Sequence, residues 1–151
     1  MTRWLRPGIY FIAALIFIAD RLTKYFILSS MDLGRSIKII PEIFHITLVF
    51  NKGSAFGLLQ NCSIFFITFS FVAIALIILI ISSSRNINLA QATALAFIMG
   101  GAAGNLVDRL KFGYVIDFLD FRIWPVFNIA DSAITIGVAI AALGFIIKRS
   151  E

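Results

Sequence analysis

Two aspartates, Asp117 and Asp131, are the residues whose type and setting could do chemistry. Asp117 lies between apolar neighbours, and Asp131 stands at the start of a long apolar stretch. Singly, Asp117 is explained as a solvated loop acid, and Asp131 as an acid in a helix's first turn, where the helix dipole favours it. Together, at the ends of two segments that face the same side, they indicate a pair. Two carboxylates in a partly dry site share one proton, so such a pair could activate water while polarising a peptide carbonyl.

Other hydrolytic chemistry has little support in the sequence. His45 is the only histidine and Cys62 the only cysteine, which excludes an intrachain disulfide and argues against a zinc site. The metalloprotease motif H-E-x-x-H is absent, and Ser54 lacks the G-x-S-x-G context of a serine nucleophile. Phosphate-loop and dinucleotide fingerprints are also absent from the sequence. We therefore expect neither a metal nor a cofactor.

Several further polar residues lie in or beside apolar stretches, where each polar group is a candidate for function. Asp20 and Lys24 are four residues apart, a spacing that also suits a structural ion pair on one helical face. Asn51 and Gly53 follow a predicted strand, and on their own they indicate an ordinary turn. Asn128 lies three residues before the second candidate acid, on the same helical face.

The end of the third apolar run combines small and polar residues. Gly100 and Gly104 form a small-xxx-small pair, which lets neighbouring helix backbones come close. Asn105, Asp108 and Arg109 then place an amide, a carboxylate and a guanidinium on one helical face. Helix packing explains the glycines, but it does not explain three polar groups on one face.

The elements that position these side chains must lie largely in lipid. The chain of 151 residues is 60% apolar and 14% charged, with a mean hydropathy of +0.99. Soluble domains are about 45–50% apolar, and a chain this small cannot bury so much apolar surface in water. The sequence predicts one all-α integral membrane domain over residues 1–151. Its four transmembrane helices, each about 20 residues long, match a bilayer core of about 30 Å and cover residues 8–27, 62–82, 89–107 and 126–147.

The distribution of basic residues predicts the orientation of these helices. One side carries a dense basic set with a single opposing acid, and this set consists of Arg3, Arg6, Arg85, Lys148 and Arg149. By the positive-inside rule, both the N- and the C-terminus are cytoplasmic, and the connections 28–61 and 108–125 are extracytoplasmic. Within the first connection, apolar and polar residues partly alternate over residues 42–50, and several of these residues are β-branched. This pattern predicts a strand in a small β-sheet cap. The net charge of +5 forms no basic stripe, so we expect no nucleic-acid partner.

Five short blocks, in this order, resemble the lipoprotein signal peptidase (signal peptidase II) family of bacterial membrane aspartyl peptidases. The blocks are Asp20-x-x-x-Lys24, Asn51-x-Gly53-x-Ala55-Phe56-Gly57, Gly100-Gly-Ala-x-Gly-Asn105-x-x-Asp108-Arg109, Val115-x-Asp117-Phe118 and Phe127-Asn128-x-Ala130-Asp131. They span residues 20–131, and the sequence departs from the family pattern at Arg21, where glutamine is usual, and at Ser54, where alanine is usual.

The resemblance implies roles for particular residues. It makes Asp117 and Asp131 the catalytic acids, the same pair that the residues themselves indicate. We expect Arg109 and Asn51 to contact substrate, and Asp108 to hold Arg109. The residues that match the family's other characteristic positions would shape or steady the site, and they are Asp20, Lys24, Asn51, Gly53, Asn105, Asp108, Arg109, Asn128 and Ala130.

The resemblance also implies a reaction, namely removal of the signal peptide from prolipoproteins just before a cysteine that carries a diacylglyceryl group. The protein would then be a monomer in contact with membrane lipids, with its site at the outer face of the bacterial cytoplasmic membrane. One alternative is a proton- or ion-coupled transporter with a relay of intramembrane carboxylates, but the polar residues cluster towards one side and no internal repeat is present. Another alternative is a non-catalytic four-helix scaffold, which would tolerate neutralisation of both aspartates.

Overall fold

The described part of the chain forms four helices and one small sheet. The computed structural model describes residues 5–53, 63–84 and 86–149, with side chains up to residue 146. The elements in chain order are α1 (Leu5–Ser30), β1 (Ser36–Ile40), β2 (Phe44–Asn51), α2 (Ser63–Ser83), α3 (Leu89–Phe112), β3 (Val115–Asp120) and α4 (Ile129–Arg149). The predicted combination of apolar helices with a small sheet is therefore confirmed in outline.

Within the described residues, three helices are long and apolar enough to cross a membrane. They are α2, α3 and the Ile129–Ile146 part of α4. Helix α1 is the longest, at 26 residues, but it carries Asp20, Arg21 and Lys24. Its buried residues, Ile9, Ala13, Asp20 and Lys24, recur at helical spacing. One face of α1 therefore turns inward and brings its charges with it.

Helix α3 lies at the centre and packs against the other three helices. Small residues make this packing possible. A Cβ atom at Gly100 would lie 2.6 Å from the backbone oxygen of Ala13 in α1, and one at Gly104 would lie 2.5 Å from Oδ2 of Asp20. The predicted close approach at this pair of glycines is confirmed, because side chains at these positions would displace α1.

The C-terminal end of α3 lies beyond the predicted boundary at residue 107. The helix continues to Phe112 and ends where Gly113 adopts a left-handed conformation, with φ of 77°. Charged residues such as Asp108 end the apolar run but do not end the helix. The predicted connection 108–125 consequently contains the last turn of α3 and the whole of β3.

The sheet is antiparallel, with β2 in its centre between β1 and β3. Strand β2 confirms the strand predicted over residues 42–50. Strand β3 was not predicted, because it contains two aspartates and aspartate is depleted in strands. Five of its six residues are buried, so it also lacks the alternation of a half-exposed strand. Asn51 pairs with Val115 at the end of the sheet nearest the helices.

The segment before α4 is paired with β3. Leu119 donates to and accepts from the backbone of Phe127, which forms an isolated bridge. Asn128 then starts the helix, since its backbone oxygen accepts from the N–H of Ser132. Helix α4 begins three residues later than the predicted span, because the chain at this point is extended and paired with the strand. The bridge fixes the start of α4 beside β3.

Candidate active site

The structure brings Asp117 of β3 and Asp131 of α4 into one cluster through Asn128. The side-chain nitrogen of Asn128 donates to Oδ1 of Asp117 over 2.6 Å. Its side-chain oxygen accepts from the backbone N–H of Asp131 over 2.8 Å. A backbone N–H can only donate, so this contact fixes which end of the amide faces Asp117.

Two further amides hold the same carboxyl groups. Asn51 Nδ2 donates to Oδ2 of Asp117 over 2.9 Å, and Asn51 Oδ1 accepts from the backbone N–H of Gly53. On the other acid, Asn105 Nδ2 donates to Oδ1 of Asp131 over 2.7 Å. Each carboxyl is thus oriented by neutral donors, which favour its ionised form without adding charge. The contact between Asn51 and Gly53 is an Asx turn, and it fixes which end of the Asn51 amide faces Asp117.

Burial, together with repulsion by the charge of Asp131, raises the pKa of Asp117 to about 7. The amides of Asn51 and Asn128 and the charge of Lys24 oppose this rise. Asp117 is 1% exposed, so solvent screens it little. Repulsion between the two charges, which are linked through Asn128, disfavours simultaneous ionisation, and this is the condition for a shared proton.

Lys24 is fully buried and is the centre of a charge network behind the pair. Its Nζ lies 2.9 Å from Oδ2 of Asp20 and 2.8 Å from Oδ2 of Asp108. It also donates to Oδ1 of Asn105 over 3.1 Å. The predicted contact between Asp20 and Lys24 on one helical face is confirmed. Lys24 orients the Asn105 amide, so that its nitrogen faces the second acid.

The structure contradicts the expectation that Asp108 holds Arg109. The carboxylate of Asp108 instead contacts α1, where Nη2 of Arg21 donates to its Oδ1 over 2.6 Å and Lys24 contacts its Oδ2. The backbone N–H of Ile116 also donates to Oδ2. Residues 108 and 109 are adjacent on a helix, so their side chains point in directions about 100° apart. Asp108 therefore ties α3 to α1 and β3.

Asp20 and Ala130 contribute to the site through packing and backbone contact. Oδ1 of Asp20 accepts from the backbone N–H of Ala130 over 3.1 Å, which ties α1 to the first turn of α4. Ala130 is fully buried, and its Cβ would lie 3.4 Å from a Cβ at Gly104. A larger side chain at position 130 would therefore separate α3 from α4.

Arg109 lies on the wall of a cavity of about 320 Å³ beside the acid pair. Its guanidinium carbon is 4.8 Å from the centre of the Phe66 ring on α2, at cation–π distance. The cavity lining includes Asn51, Gly53 and Asp131. Asp117 lies behind this surface. The cavity offers a place for a substrate segment next to the acid pair, with Arg109 as a positive group facing it.

Two residues in this region, Arg21 and Phe66, were not predicted as part of the site. In the sequence Arg21 is only a departure from the family pattern, although a second cation three residues before Lys24 in an apolar helix indicates an acidic partner. Phe66 lies in a uniformly apolar helix and gave no signal that distinguishes it from its lipid-facing neighbours. Phe66 and Arg109 together form one wall of the cavity.

Comparison with known proteins agrees with this geometry. The family model described as signal peptidase (SPase) II matches residues 12–147. The lipoprotein signal peptidase of Brevibacillus brevis is 46% identical over 136 residues, covering 89% of this chain and 91% of the relative. That of Halothermothrix orenii is 40% identical over 135 residues, covering 89% and 92%.

Two solved structures, each described as a bacterial membrane enzyme, share the fold. One aligns with a TM-score of 0.90 at 33% identity and covers 95% of this chain and 90% of its own. The other aligns with a TM-score of 0.84 at 34% identity and covers 92% of both chains. Because the family model spans most of its length, the chain belongs to the signal peptidase II family.

Proposed function

We propose that this protein removes signal peptides from prolipoproteins as an aspartic endopeptidase, with Asp117 and Asp131 as its catalytic residues. The observation that carries the proposal is the linked pair of buried carboxyls, joined through Asn128 beside a cavity. Family membership supports the substrate class. The transporter alternative has no support, because the family comparisons point to peptidases along nearly the whole chain.

The reaction needs one proton shared by the two acids. The ionised carboxyl takes a proton from water while the water oxygen adds to the scissile carbonyl carbon, and the protonated carboxyl donates to the carbonyl oxygen. The bond from this carbon to nitrogen then breaks as a carboxyl returns a proton to the leaving amine. Arg109, on the cavity wall, supplies a positive charge near the developing oxyanion.

The substrate class in this proposal is a prolipoprotein whose cysteine already carries a diacylglyceryl group, with cleavage just before that cysteine. A lipidated peptide stays in the bilayer, so an enzyme with apolar helices can meet its scissile bond at the membrane boundary. Trp124 and Ile134 on the cavity wall offer apolar contact to such a substrate.

In the membrane we place four crossing helices, with both termini in the cytoplasm and the acid pair at the extracytoplasmic face of the bacterial cytoplasmic membrane. Helix α1 completes the set, since its 26 residues extend about 39 Å at about 1.5 Å each. Arg21 and Lys24 contact Asp108 of α3, and Asp20 contacts Lys24 and the backbone N–H of Ala130 in α4. These partners support the presence of the three charges at this depth. The proposal includes a monomeric enzyme, in which one chain supplies both acids and the amides that hold them.

The experiment replaces each acid by asparagine and assays cleavage of a diacylglyceryl-modified prolipoprotein by the purified, folded enzyme. We expect Asp117→Asn and Asp131→Asn each to lower kcat by at least about 1,000-fold, because neither variant can share a proton between two carboxyls. Asp32→Asn is the matched control, an exposed acid in the turn before β1, and it should keep the wild-type rate. Wild-type turnover in either site variant would refute the aspartic mechanism.

A further inference from the structure

Asn128 contacts both halves of the acid pair, and it is fully buried. Its amide nitrogen donates to the Asp117 carboxyl, and its amide oxygen accepts from the backbone of Asp131. The same residue starts α4, with Ser132 donating to its backbone oxygen. Any shift of the Asn128 side chain therefore changes the position of one acid relative to the other.

From this geometry we infer that Asn128 is a positioning residue that sets the separation of the two catalytic acids and holds the carboxyl of Asp117 through a donated hydrogen bond. The inference rests on the proposed roles of Asp117 and Asp131. It assigns Asn128 a function beyond helix capping, because a cap needs only an oxygen that accepts from the helix N–H groups. The donated hydrogen bond to Asp117 contributes nothing to a cap.

Among the groups that face the acid pair, the Asn128 amide is the one whose hydrogen bond to Asp117 can be changed separately. The charged groups that face the pair are Lys24 from α1 and Arg109 from α3, in addition to the two acids themselves. The other amide donor to Asp117 is Asn51, which comes from the end of β2. Asn128 alone among the described residues bonds both β3 and the first turn of α4 through its side chain.

The experiment separates capping from donation. Asn128→Ser keeps an oxygen that can cap α4 but removes the donor to Asp117. We expect kcat to fall by about 10- to 100-fold, because the carboxyl of Asp117 is no longer held in place. The alkaline-side midpoint of the pH–rate profile should rise by about one to two units, because a hydrogen bond that favours the ionised form of Asp117 is lost. A residue that only supports the fold would lower kcat at all pH values without moving this midpoint.

Asn88→Ser is the matched control. Asn88 caps α3, where its side chain accepts from the backbone N–H of Gln91, and it contacts neither acid. The same replacement there should leave both kcat and the midpoint unchanged. If Asn128→Ser does not fold, Asn128→Asp serves in its place, since it has the same shape and keeps the capping oxygen while putting a negative charge beside Asp117.

For Asn128→Asp we expect a higher alkaline-side midpoint and a lower kcat. A folded Asn128→Ser or Asn128→Asp enzyme with the wild-type midpoint would overturn the inference. Asp117→Asn and Asp131→Asn are assayed in the same series to keep the two proposals distinct. Activity in those variants would refute the proposed function, whereas their inactivity with an unmoved midpoint at Asn128 would refute this inference alone.

Discussion

At the scale of single residues, the proposed chemistry depends on the proton balance of Asp117. Three neutral amides and one buried ammonium group surround the acid pair, from Asn51, Asn105, Asn128 and Lys24. Neutral donors orient carboxyls and favour their ionised form, while burial and mutual repulsion favour the protonated form. The opposed effects leave Asp117 with a pKa of about 7, where it can both take and release a proton.

The pH dependence of the rate follows from this value. Burial and repulsion by the ionised Asp131 raise the pKa of Asp117 to about 7, so the pair shares one proton below about pH 7 and loses it above that pH. We expect kcat with a lipidated prolipoprotein to fall as the pH increases through about 7. A rate that is constant from pH 5 to pH 8 (about three units around this pKa) would contradict the role of Asp117 in holding the shared proton.

The same pKa predicts how stability depends on pH. The folded pKa of Asp117 is raised from its ordinary value of 3.8 to about 7, so its contribution to stability is fully present below about pH 4 and is lost as the pH rises through about 7. Asp117→Asn lacks this dependence. From pH 4 to pH 8, the free energy of unfolding of the wild type should fall by up to about 4 kcal/mol relative to that of Asp117→Asn.

Thermal unfolding midpoints of the two purified proteins in detergent, measured at several pH values, check this expectation. Asp32→Asn is the control, because Asp32 is exposed, and its curve should run parallel to that of the wild type. Parallel curves for Asp117→Asn and wild type would contradict the raised pKa of Asp117.

At the scale of elements, the site depends on how closely α1 and α4 approach α3. Gly104→Ala tests this approach, because its Cβ would lie 2.5 Å from Oδ2 of Asp20 and would push apart the contact with Lys24. We expect a loss of stability of about 1–3 kcal/mol and a reduced kcat. Gly144→Ala in α4 is the matched control, with nothing within 4 Å of its Cβ, and it should be neutral or gain about 0.5–1 kcal/mol.

Unfolding midpoints and cleavage rates of the two alanine variants are compared with the wild type. Because both replacements add one methyl group to a helical glycine, a difference between them reports the packing and not helix propensity. Equal stability of the two variants would show that α1 can move away from α3 with little loss of stability, and this would contradict the close packing at Gly104.

The elements also show how far the sequence alone could go. The apolar runs, strand β2 and the contact between Asp20 and Lys24 follow from local patterns, so they were predictable. Strand β3 was not predictable in this way. It is buried because it pairs with β2, which is distant in sequence, and with Phe127, which comes after it in the chain. The partner of Asp108 was also missed, because adjacency to Arg109 in sequence does not bring two helical side chains together.

At the scale of the whole molecule, the two ends carry different features. At one end Nη2 of Arg6 donates to the backbone oxygen of Ser84 over 2.7 Å, which joins the start of α1 to the end of α2. At the other end lie the sheet and the acid pair. The proposed orientation makes the first end cytoplasmic, in line with the excess of basic residues there.

This orientation can be tested with single cysteines in a Cys62→Ser background, which removes the only native cysteine. Ile39→Cys lies on β1 and replaces a side chain that is 55% exposed, whereas Asn86→Cys replaces an exposed residue between α2 and α3. In intact cells, a membrane-impermeant maleimide should label Ile39→Cys, and it should label Asn86→Cys only after the membrane is opened. The opposite pattern would place the acid pair at the cytoplasmic face, where a precursor exported across the membrane could not present its lipidated cysteine.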